Sequence, residues 1–344
     1  MTLTSVGPRS LDEPGFLDQF LLLLGDGDEW GAVAVVGALL DDRVPAQRVM
    51  TELIAPAQRR VGELWAANEW SIAREHAATA ISERALAAVA ARCAVRPTRG
   101  RITIACVDGE WHALPVRILA EMLRLDGWRV DFLGASVPGP HLVTHLHQTG
   151  PDAVALSCTL PTRLPRAHAA VTACRSAGVP VIAGGRGFGA DGRWAHTLGA
   201  DAWAPDAEQA VTRLAADWPP RMDDPSATAY LGDDEYTFVV RHRGDLIGTA
   251  LARLAADYPH MRDYDQRQYD AAAEDMAHIV DFLAAALYVG DEQLFIDFIG
   301  WTVAVLAARE VPGEALAAGL RLVRRQLGDY PSASAIVDAG LARI

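Results

Sequence analysis

The apolar residues of this chain change their spacing twice, and that change limits the folds available to it. From Phe16 to about Cys93 they recur every three or four positions, which is the period of an amphipathic helix. Between Arg101 and Trp218 they form short runs, each followed by a helical stretch. After about Tyr236 the helical spacing returns. The pattern predicts a helical block, a block of alternating strands and helices, and a second helical block.

The first block is expected to be a four-helix bundle. Glycine, aspartate and proline residues interrupt the helical spacing and mark the turns. Ser71 is a suitable N-cap for the last helix, because its hydroxyl can accept a hydrogen bond from an unpaired amide of the first turn. The predicted helices are Pro14–Leu24, Glu29–Asp41, Ala46–Asn68 and Ser71–Ala94.

The middle block is predicted to form a parallel β-sheet. Its apolar runs are short and often β-branched, and each precedes a helical stretch. Right-handed helical crossovers between parallel strands account for that alternation. The expected fold is a flavodoxin-like (Rossmann-like) five-stranded domain, with its ligand at the carboxyl ends of the strands. The predicted strands are Ile102–Val107, Arg129–Leu133, Ala153–Ser157, Val179–Ala183 and Ala202–Ala204.

A proline-rich and acidic segment follows the sheet block. It contains Pro219, Pro220 and Pro225 and is acidic at 233–235, a composition typical of a linker. The predicted divisions of the chain are 1–97, 98–218, 219–235 and 236–344. The helices expected in the last division are Leu246–Ala256, Gln266–Val289, Leu294–Arg309 and Pro312–Gly328.

The charged residues exclude several kinds of chemistry. All 31 basic residues are arginine, since the sequence contains no lysine. A Walker A phosphate loop and a pyridoxal or retinal Schiff base both need a lysine amine, so neither is available. The formal charge is −13, and no cluster of arginines alternates with aromatic residues. Nucleic acid is therefore not an expected partner.

The cysteines indicate the redox compartment of the protein, and the apolar runs indicate whether the chain can span a membrane. Cys93, Cys106, Cys158 and Cys174 are dispersed and form no C-x-x-C pair, which predicts buried free thiols in a reducing compartment. The apolar runs are too short, or too interrupted by acidic residues, to span a bilayer. No basic segment precedes the first of them. We expect a soluble cytoplasmic protein with no membrane partner.

Three loops at the predicted ligand edge of the sheet carry a recognisable order of residues. The loop after the first strand reads DGEWH over 108–112, the loop after the third reads SCT over 157–159, and the loop after the fourth reads GGRG over 184–187. Because the carboxyl ends of parallel strands meet at one edge, these loops are expected to border one crevice.

This order and spacing resemble the cobalamin-binding domain family, whose pattern is D-x-H-x-x-G, then S-x-L or S-x-T, then G-G. The resemblance covers about Arg101 to Trp218. It implies that His112 replaces dimethylbenzimidazole as the lower axial ligand of cobalt. Glu110 would orient and polarise that imidazole through its other nitrogen.

The same resemblance gives roles to the two later loops. Ser157 and Thr159 would line the slot for the displaced nucleotide tail of the cofactor. Gly184 and Gly185 would let the backbone approach that tail, since a Cβ atom there would collide with it.

The first loop departs from the family pattern at two positions. Its acidic residue is Glu110 rather than aspartate, and Pro115 stands where the pattern has glycine. A proline can begin the following helix. Asp108 is a competing partner for His112 and remains a candidate cofactor residue, although the spacing favours Glu110.

The first helical block carries a second motif, W-x9-E-H, formed by Trp65, Glu75 and His76. It resembles the cap bundle of cobalamin photoreceptors, light-responsive repressors that shield the upper face of adenosylcobalamin. By that resemblance Trp65 packs against the adenosyl group, Glu75 hydrogen-bonds it, and His76 lies beside it. Taken alone, Trp65 is better explained as a core aromatic and the other two as a solvated first turn, and the cobalamin motif of the sheet block reverses that preference. Some of those repressors have a cobalt-binding histidine directly after the tryptophan, whereas this chain has Ala66.

The last block, joined directly to a cobalamin module, resembles the photocobilins, in which a globin-like all-α domain holds biliverdin. The aromatic walls of a bilin slot would come from Phe282, Tyr288, Phe295, Phe298 and Trp301. Cations for the propionates and polar groups for the pyrrole nitrogens would come from Arg241, Arg243, Arg253, Arg262, His260 and His278. No cysteine follows Cys174, so biliverdin bound there would be held non-covalently.

The leading hypothesis is a light sensor, not an enzyme, that binds adenosylcobalamin and biliverdin. Breakage of the cobalt–carbon bond would drive a conformational or oligomeric signal to a downstream protein or to a second copy. One alternative is a corrinoid shuttle protein of a methyltransferase system, which would carry methylcobalamin on the same His112. Another is a helical scaffold with a degenerate sheet domain that binds no cofactor.

Overall fold

A computed structural model describes Leu11, residues 15–216, Trp218 and residues 232–344. The described elements fall into the three blocks that the sequence predicts, and the predicted helices and strands lie within three residues of the observed ones. Most of the predicted linker, 219–235, lies outside the described residues. Its last two residues belong to the first helix of the C-terminal block, which begins at Asp234.

The first block, which we call the cap, is helical. Ser71 caps its last helix as predicted, accepting a hydrogen bond from the amide of Arg74 at 3.2 Å. The predicted third helix is divided by a π-helical stretch, Val49–Ile54, directly before Pro56. A proline has no amide hydrogen to donate, and the wider π turn accommodates that loss. The cap helices are α1 (Phe16–Asp26), α2 (Glu29–Asp41), α3 (Ala46–Arg48), α4 (Ala55–Ala66) and α5 (Ile72–Arg92).

The middle block is a parallel sheet, five-stranded within the described residues, with strand order β2-β1-β3-β4-β5. Successive residues of β1 alternate between two cores, Ile104 facing one and Ala105 the other, as the two-residue period of a strand requires. The strands are β1 (Arg101–Cys106), β2 (Arg129–Gly134), β3 (Ala153–Ser157), β4 (Val181–Gly184) and β5 (Ala202–Ala204). The helices between and after them are α6 (Ala113–Leu125), α7 (Gly139–Thr149), α8 (Leu164–Ser176), α9 (Arg193–Thr197) and α10 (Ala207–Ala216).

Helix α6 connects the cap to the sheet. Leu114, Ile118 and Met122 belong to the cap core, whereas Val116 and Leu123 of the same helix pack on the sheet. The cap therefore rests on the helix that begins directly after the β1 loop, at the ligand edge of the sheet.

The C-terminal block packs on the other face of the sheet domain and shares a continuous apolar core with it. His168 of α8 is hydrogen-bonded to the Tyr288 hydroxyl at 2.7 Å, and Trp194 Nε1 donates to Asp291 at 3.0 Å. The helices are α11 (Asp234–Arg241), α12 (Arg243–Asp257), α13 (Gln266–Val289), α14 (Glu292–Ala307), α15 (Gly313–Arg325) and α16 (Pro331–Leu341). The sequence analysis missed α11 and α16.

Within the described residues, no helix combines the length and the apolar character needed to cross a membrane.

Candidate functional site

The loop after β1 places a fully buried carboxylate at the edge of the sheet. Glu110 is 0% exposed. One of its oxygens, Oε1, accepts hydrogen bonds from the backbone amide of His112 at 2.9 Å and from the ring Nδ1 of the same residue at 2.6 Å. The other, Oε2, accepts from the amides of Thr159 at 2.6 Å and Leu160 at 3.1 Å. A single side chain thus joins the β1 loop to the β3 loop.

Two opposing effects act on the pKa of Glu110. Burial opposes its ionisation, but the hydrogen bonds from His112 and Thr159 overcome that penalty and lower the pKa to about 2. The carboxylate is therefore ionised at neutral pH, and it can act as a fixed negative partner for the imidazole.

His112 presents the opposite end of its ring to solvent. Its side chain is 54% exposed, and Nδ1 is held by Glu110, which fixes the orientation of the ring. The hydrogen bond to Glu110 raises the pKa of His112 despite the desolvation that opposes it, and the charge of Glu75 in the cap adds to the rise. Nε2 has no hydrogen-bond partner among the described residues. An imidazole held at one nitrogen by a carboxylate and open at the other has the arrangement of a metal-ligating histidine.

Glu110→Gln is expected to destabilise the free protein by about 2 kcal/mol. An amide NH₂ group in place of Oε2 would face the backbone amides of Thr159 and Leu160 and leave them without an acceptor. Chemical denaturation of the cofactor-free protein measures the loss, with the exposed Glu208→Gln on α10 as the matched control.

The pH dependence of this destabilisation follows from the pKa of Glu110. The pKa is about 2 in the folded protein against an ordinary value of 4.5, so the stabilisation by the carboxylate is present above 4.5 and is lost as the pH falls through 2. The difference between wild type and Glu110→Gln should therefore shrink in acid. Equal stability of the two proteins at pH 7 would contradict the role given to Glu110.

Asp108, the competing partner for His112, lies elsewhere. Its carboxylate forms an ion pair with Arg166 of α8 at 3.3 Å. The amide of Gly109 donates to the Ser136 hydroxyl at 3.1 Å, and the Ser136 amide donates to the carbonyl of Glu110 at 2.8 Å. The turn is thus tied to the β2 loop with Glu110 directed inward and Asp108 directed at Arg166.

Pro115 fits without distortion where the family pattern has glycine. Helix α6 begins at Ala113 with His112 as its N-cap residue, so the proline lies in the first turn. Amides of the first turn have no partner within the helix, and a residue without one costs little there.

The β3 and β4 loops meet through their backbones. The amide of Cys158 donates to the carbonyl of Gly184 at 3.0 Å, and the amide of Gly187 donates to the carbonyl of Cys158 at 2.9 Å. Ser157 is 7% exposed at the end of β3. The structure therefore brings Ser157, Thr159 and the two glycines together beside the loop that carries His112.

The need for glycine at 185 arises within the chain itself. Gly185 has φ +102°, and a Cβ atom there would overlap the carbonyl oxygen of Cys158 and lie 2.9 Å from its carbonyl carbon. The family resemblance attributes this glycine to close contact with a cofactor tail. The structure adds a second reason, because the neighbouring loop already excludes a side chain. At Gly184 the nearest atom to an added Cβ is the carbonyl oxygen of Ala204, at 3.3 Å.

Two thiols lie near Glu110 and are inert. Burial, reinforced by the charge of Glu110, raises the pKa of Cys106 to about 12. Burial likewise raises the pKa of Cys158 well above its ordinary value. Both remain protonated at neutral pH, so neither competes with His112 as a metal ligand, since a thiolate is the form that binds.

In the cap, the first turns of α5 hold an ordered set of polar groups. Glu75 accepts from the Thr79 hydroxyl at 3.0 Å and contacts the ring of His76, while Gln58 of α4 donates to Thr79 at 2.6 Å. The charge of Glu75 contributes to the raised pKa of His112, and the cap packs on the helix that begins directly after His112. The predicted upper residues therefore lie in the block next to the predicted lower ligand, and His76 is 74% exposed.

Trp65 has partners that the sequence did not indicate. It stacks on Trp301 of α14 with ring centroids 6.2 Å apart, and the Arg309 guanidinium lies 5.2 Å from its centroid. The predicted cap tryptophan is thus neither a simple core aromatic nor a free surface residue. No local sequence signal relates it to residues more than two hundred positions away.

The predicted bilin residues are dispersed over the C-terminal block. In the part of the chain that the structure describes, most of the predicted polar residues contact groups outside the predicted set. Arg243 pairs with Asp281, Arg262 donates to the carbonyl of Ala255, His260 lies against Tyr258, Tyr288 bonds His168, and His278 acts on Asp275. Arg241 and Arg253 are exposed. Phe282 and Phe298 stack at 3.8 Å, and Phe295 is 0% exposed, so these predicted walls pack in the protein core.

The residues at the sheet edge fit a corrinoid. A corrin ring supplies the equatorial nitrogens of its cobalt, so the protein needs to provide one axial ligand and a support for it. His112 and Glu110 have that chemistry. The described residues contain no cluster of three or more histidine, cysteine, aspartate or glutamate residues that could hold a metal ion unaided.

Comparison with known proteins identifies the family. A family model described as a B12 binding domain matches residues 100–215, and a second with the same description matches residues 16–90. Dimethylamine corrinoid protein 3 of Methanosarcina mazei is 30% identical over 118 residues, which are 33% of this chain and 70% of that protein. The chain belongs to the B12-binding protein family.

Two further relatives extend the comparison. The HTH-type transcriptional repressor CarA of Myxococcus xanthus is 33% identical over 192 residues, 51% of this chain and 64% of the repressor, so the chain spans less than two thirds of that relative. The monomethylamine corrinoid protein of Methanosarcina barkeri superposes with a TM-score of 0.52 at 18% identity, over 57% of this chain and 95% of that one. At that identity the likeness concerns the fold alone.

These matches confirm a cobalamin-binding α/β domain with a helical part before it. They favour cobalamin binding over the alternative of a helical scaffold without a cofactor. The relatives from Methanosarcina are named as corrinoid proteins. This chain is likewise a cobalamin-binding protein.

Proposed function

We propose that this protein is a light sensor that binds adenosylcobalamin between the cap and the sheet domain. His112 is the lower axial ligand, oriented by Glu110. Ser157, Thr159 and the two glycines of the β4 loop border the slot for the nucleotide tail. The observation that carries the proposal is the Glu75 carboxylate, which the Thr79 hydroxyl holds in the cap, next to the helix that begins directly after His112.

The cap residues suit a bulky, polar upper ligand. Glu75 is 23% exposed and is held by Thr79, so one of its oxygens is directed by the protein. A carboxylate accepts hydrogen bonds from hydroxyl and amino groups, which an adenosyl group has and a methyl group lacks. The match to the repressor from Myxococcus xanthus over 192 residues supports this assignment.

When bound, adenosylcobalamin supplies a cobalt–carbon bond that visible light cleaves. The role of the protein is to shield that bond and to respond to its loss. Once the adenosyl group leaves, Glu75 and Trp65 lose a contact, and the cap is free to repack or to meet a second copy or a downstream protein. We place the sensor in the cytoplasm, in keeping with its free thiols.

The C-terminal block is proposed to be a globin-like domain that holds biliverdin. Tyr288, whose hydroxyl is hydrogen-bonded to His168, and the partly exposed Trp301 are the proposed aromatic groups of the slot. The arginines at 241, 243, 253 and 262 and the histidines at 260 and 278 remain candidates for the propionates and pyrrole nitrogens. Biliverdin would be bound non-covalently, because no cysteine follows Cys174.

Illumination of the purified protein tests the light-sensing function. Protein loaded in the dark with adenosylcobalamin and supplied with biliverdin should show a cobalt absorption spectrum that changes on exposure to light. It should also show a red-shifted bilin band that leaves with the small-molecule fraction on denaturation. An unchanged cobalt spectrum would remove the sensor claim, and the absence of a bound bilin band would remove the biliverdin claim.

A corrinoid shuttle protein of a methyltransferase system is the second candidate, favoured by the identity to the dimethylamine corrinoid protein. Relative affinity separates the two functions. For a sensor, Glu75→Gln should weaken adenosylcobalamin binding severalfold and leave methylcobalamin binding unchanged, whereas the exposed Glu69→Gln should affect neither. Equal losses for both cobalamins would favour the shuttle.

A further inference from the structure

The C-terminal block contacts the cap at the end of α4. Trp65 is the next-to-last residue of that helix, and its ring stacks on Trp301 with an interplanar angle of 29°. Trp301 is 49% exposed, an unusual state for a tryptophan whose purpose is to fill a core. The contact therefore lies at the surface, where it can form and separate without opening either core.

Arg309 joins the two helices that meet there. Its Nη1 donates to the carbonyl of Ala66 at 3.1 Å and to the carbonyl of Val305 at 3.0 Å, and its Nη2 donates to the carbonyl of Trp65 at 3.0 Å. These carbonyls belong to the last turns of α4 and α14. One guanidinium thus bridges the carboxyl ends of two helices.

The electrostatics of this arrangement depend on the cation. The last carbonyls of a helix lack partners within it, and the carboxyl end carries the negative end of the helix dipole. Two such ends placed together repel each other unless a positive charge lies between them. Arg309 supplies that charge, its planar fork reaches both ends at once, and its face lies over the Trp65 ring.

A third element contributes to the electrostatics around Arg309. The charge of Arg309 acts to lower the pKa of Asp275 on α13, although burial raises that pKa overall. Arg309, a half-buried charged residue, thus holds Trp65 against the C-terminal block.

We infer that Arg309 and Trp301 are positioning residues for Trp65, and that through them the C-terminal block senses the upper ligand of the cobalamin. The inference rests on the proposed function, in which Trp65 packs against that ligand. A ligand that presses on one side of the indole keeps it against Trp301, and loss of the ligand releases it. The end of α14 is therefore the first part of the C-terminal block to respond.

Hydrogen–deuterium exchange on the full-length protein tests this coupling. Three states are compared for wild type and for Arg309→Met: without cofactor, with hydroxocobalamin and with adenosylcobalamin in the dark. In wild type, exchange in peptides covering 305–311 should be several times slower with adenosylcobalamin than with hydroxocobalamin. In Arg309→Met that difference should vanish, while the difference at 65–76 in the cap persists.

Two further variants control for charge and folding. Arg321→Met removes an exposed arginine of α15 that has no side-chain partner among the described residues, and it should behave as wild type. Arg309→Lys keeps the charge but cannot bridge both helix ends with a planar fork, so an intermediate difference is expected. An Arg309→Met protein that responds at 305–311 as wild type does would overturn the inference.

The exchange experiment and the illumination test of the proposed function can succeed or fail independently. If illumination leaves the cobalt spectrum unchanged, the sensor claim fails, but the comparison of the two cobalamins needs no light and still decides the coupling. If adenosylcobalamin does not bind, the cofactor-free state decides the positioning role. Arg309→Met should then exchange faster than wild type at both 65–68 and 305–311, and equal rates would reject it.

Discussion

Cobalamin bound to a His112→Ala variant is expected to lose histidine coordination completely. His112 lies at the sheet edge, where a buried carboxylate orients its ring and its other nitrogen has no partner among the described residues. Loss of a residue that hydrogen-bonds a metal ligand typically weakens metal binding by roughly 10–100-fold. Loss of the axial ligand itself should weaken cobalamin binding at least as much. Electron paramagnetic resonance of the Co(II) form of the bound cobalamin shows directly whether a histidine nitrogen coordinates the cobalt.

Labelling histidine with ¹⁵N makes the result unambiguous. In wild type, labelling should convert the nitrogen splitting of the cobalt signal from a triplet to a doublet. In His112→Ala, labelling should change nothing, because any remaining axial ligand is a nitrogen of the cofactor's own base or a water oxygen. The exposed His147→Ala on α7 is the matched control and should behave as wild type. A wild-type signal that is insensitive to the label would remove His112 as the cobalt ligand.

Gly185→Ala should be the most damaging single-methyl addition at the sheet edge. The residue has φ +102°, which costs a residue with a side chain about 1–3 kcal/mol. The new methyl group would also overlap the backbone carbonyl of Cys158, which cannot move without breaking its bond to the Gly187 amide. We expect a loss of about 3 kcal/mol or more of stability, together with loss of cobalamin binding, because the β3 loop also holds Glu110.

The neighbouring Gly184→Ala is the matched control. Its backbone is not in the left-handed region, and the added methyl group would meet only the carbonyl of Ala204 at 3.3 Å. That variant should lose less than about 1 kcal/mol. Chemical denaturation of both cofactor-free proteins, followed by titration with cobalamin, provides the comparison. Similar stabilities for the two variants would show that the β4 loop moves more freely than its hydrogen bonds indicate.

The sequence predicted secondary structure well where the periodicity was strong. The strands of the sheet were found because short β-branched runs separated by helical stretches have few other solutions. Helix α11 was missed because it follows directly on an acidic and proline-rich segment, although Asp233 caps it by accepting from the amide of Tyr236. Helix α16 was missed because its alanine and serine residues give little contrast between faces.

At the candidate site, the motif identified the residues but did not explain why each of them is required. Glu110 and His112 were paired by spacing, and the structure joins them at 2.6 Å. The partners that lower the pKa of Glu110 include the backbone amides of His112 and Thr159, which no sequence pattern can identify because every residue but proline has one. A glycine at 185 was predicted because a side chain there would collide with the cofactor tail. In the structure, the Cys158 carbonyl already leaves no space for a side chain.

The sequence by itself determined that a parallel sheet would bring three loops, with His112 among them, to one edge. The reason is that strand period and crossover handedness are local properties of the chain. Only the tertiary structure decided that Trp65 would meet Trp301 and Arg309, which lie 236 and 244 positions further along the chain. Such contacts depend on how the folded blocks pack against each other. They are stabilised by helix ends and ring faces, which produce no periodic pattern in the sequence.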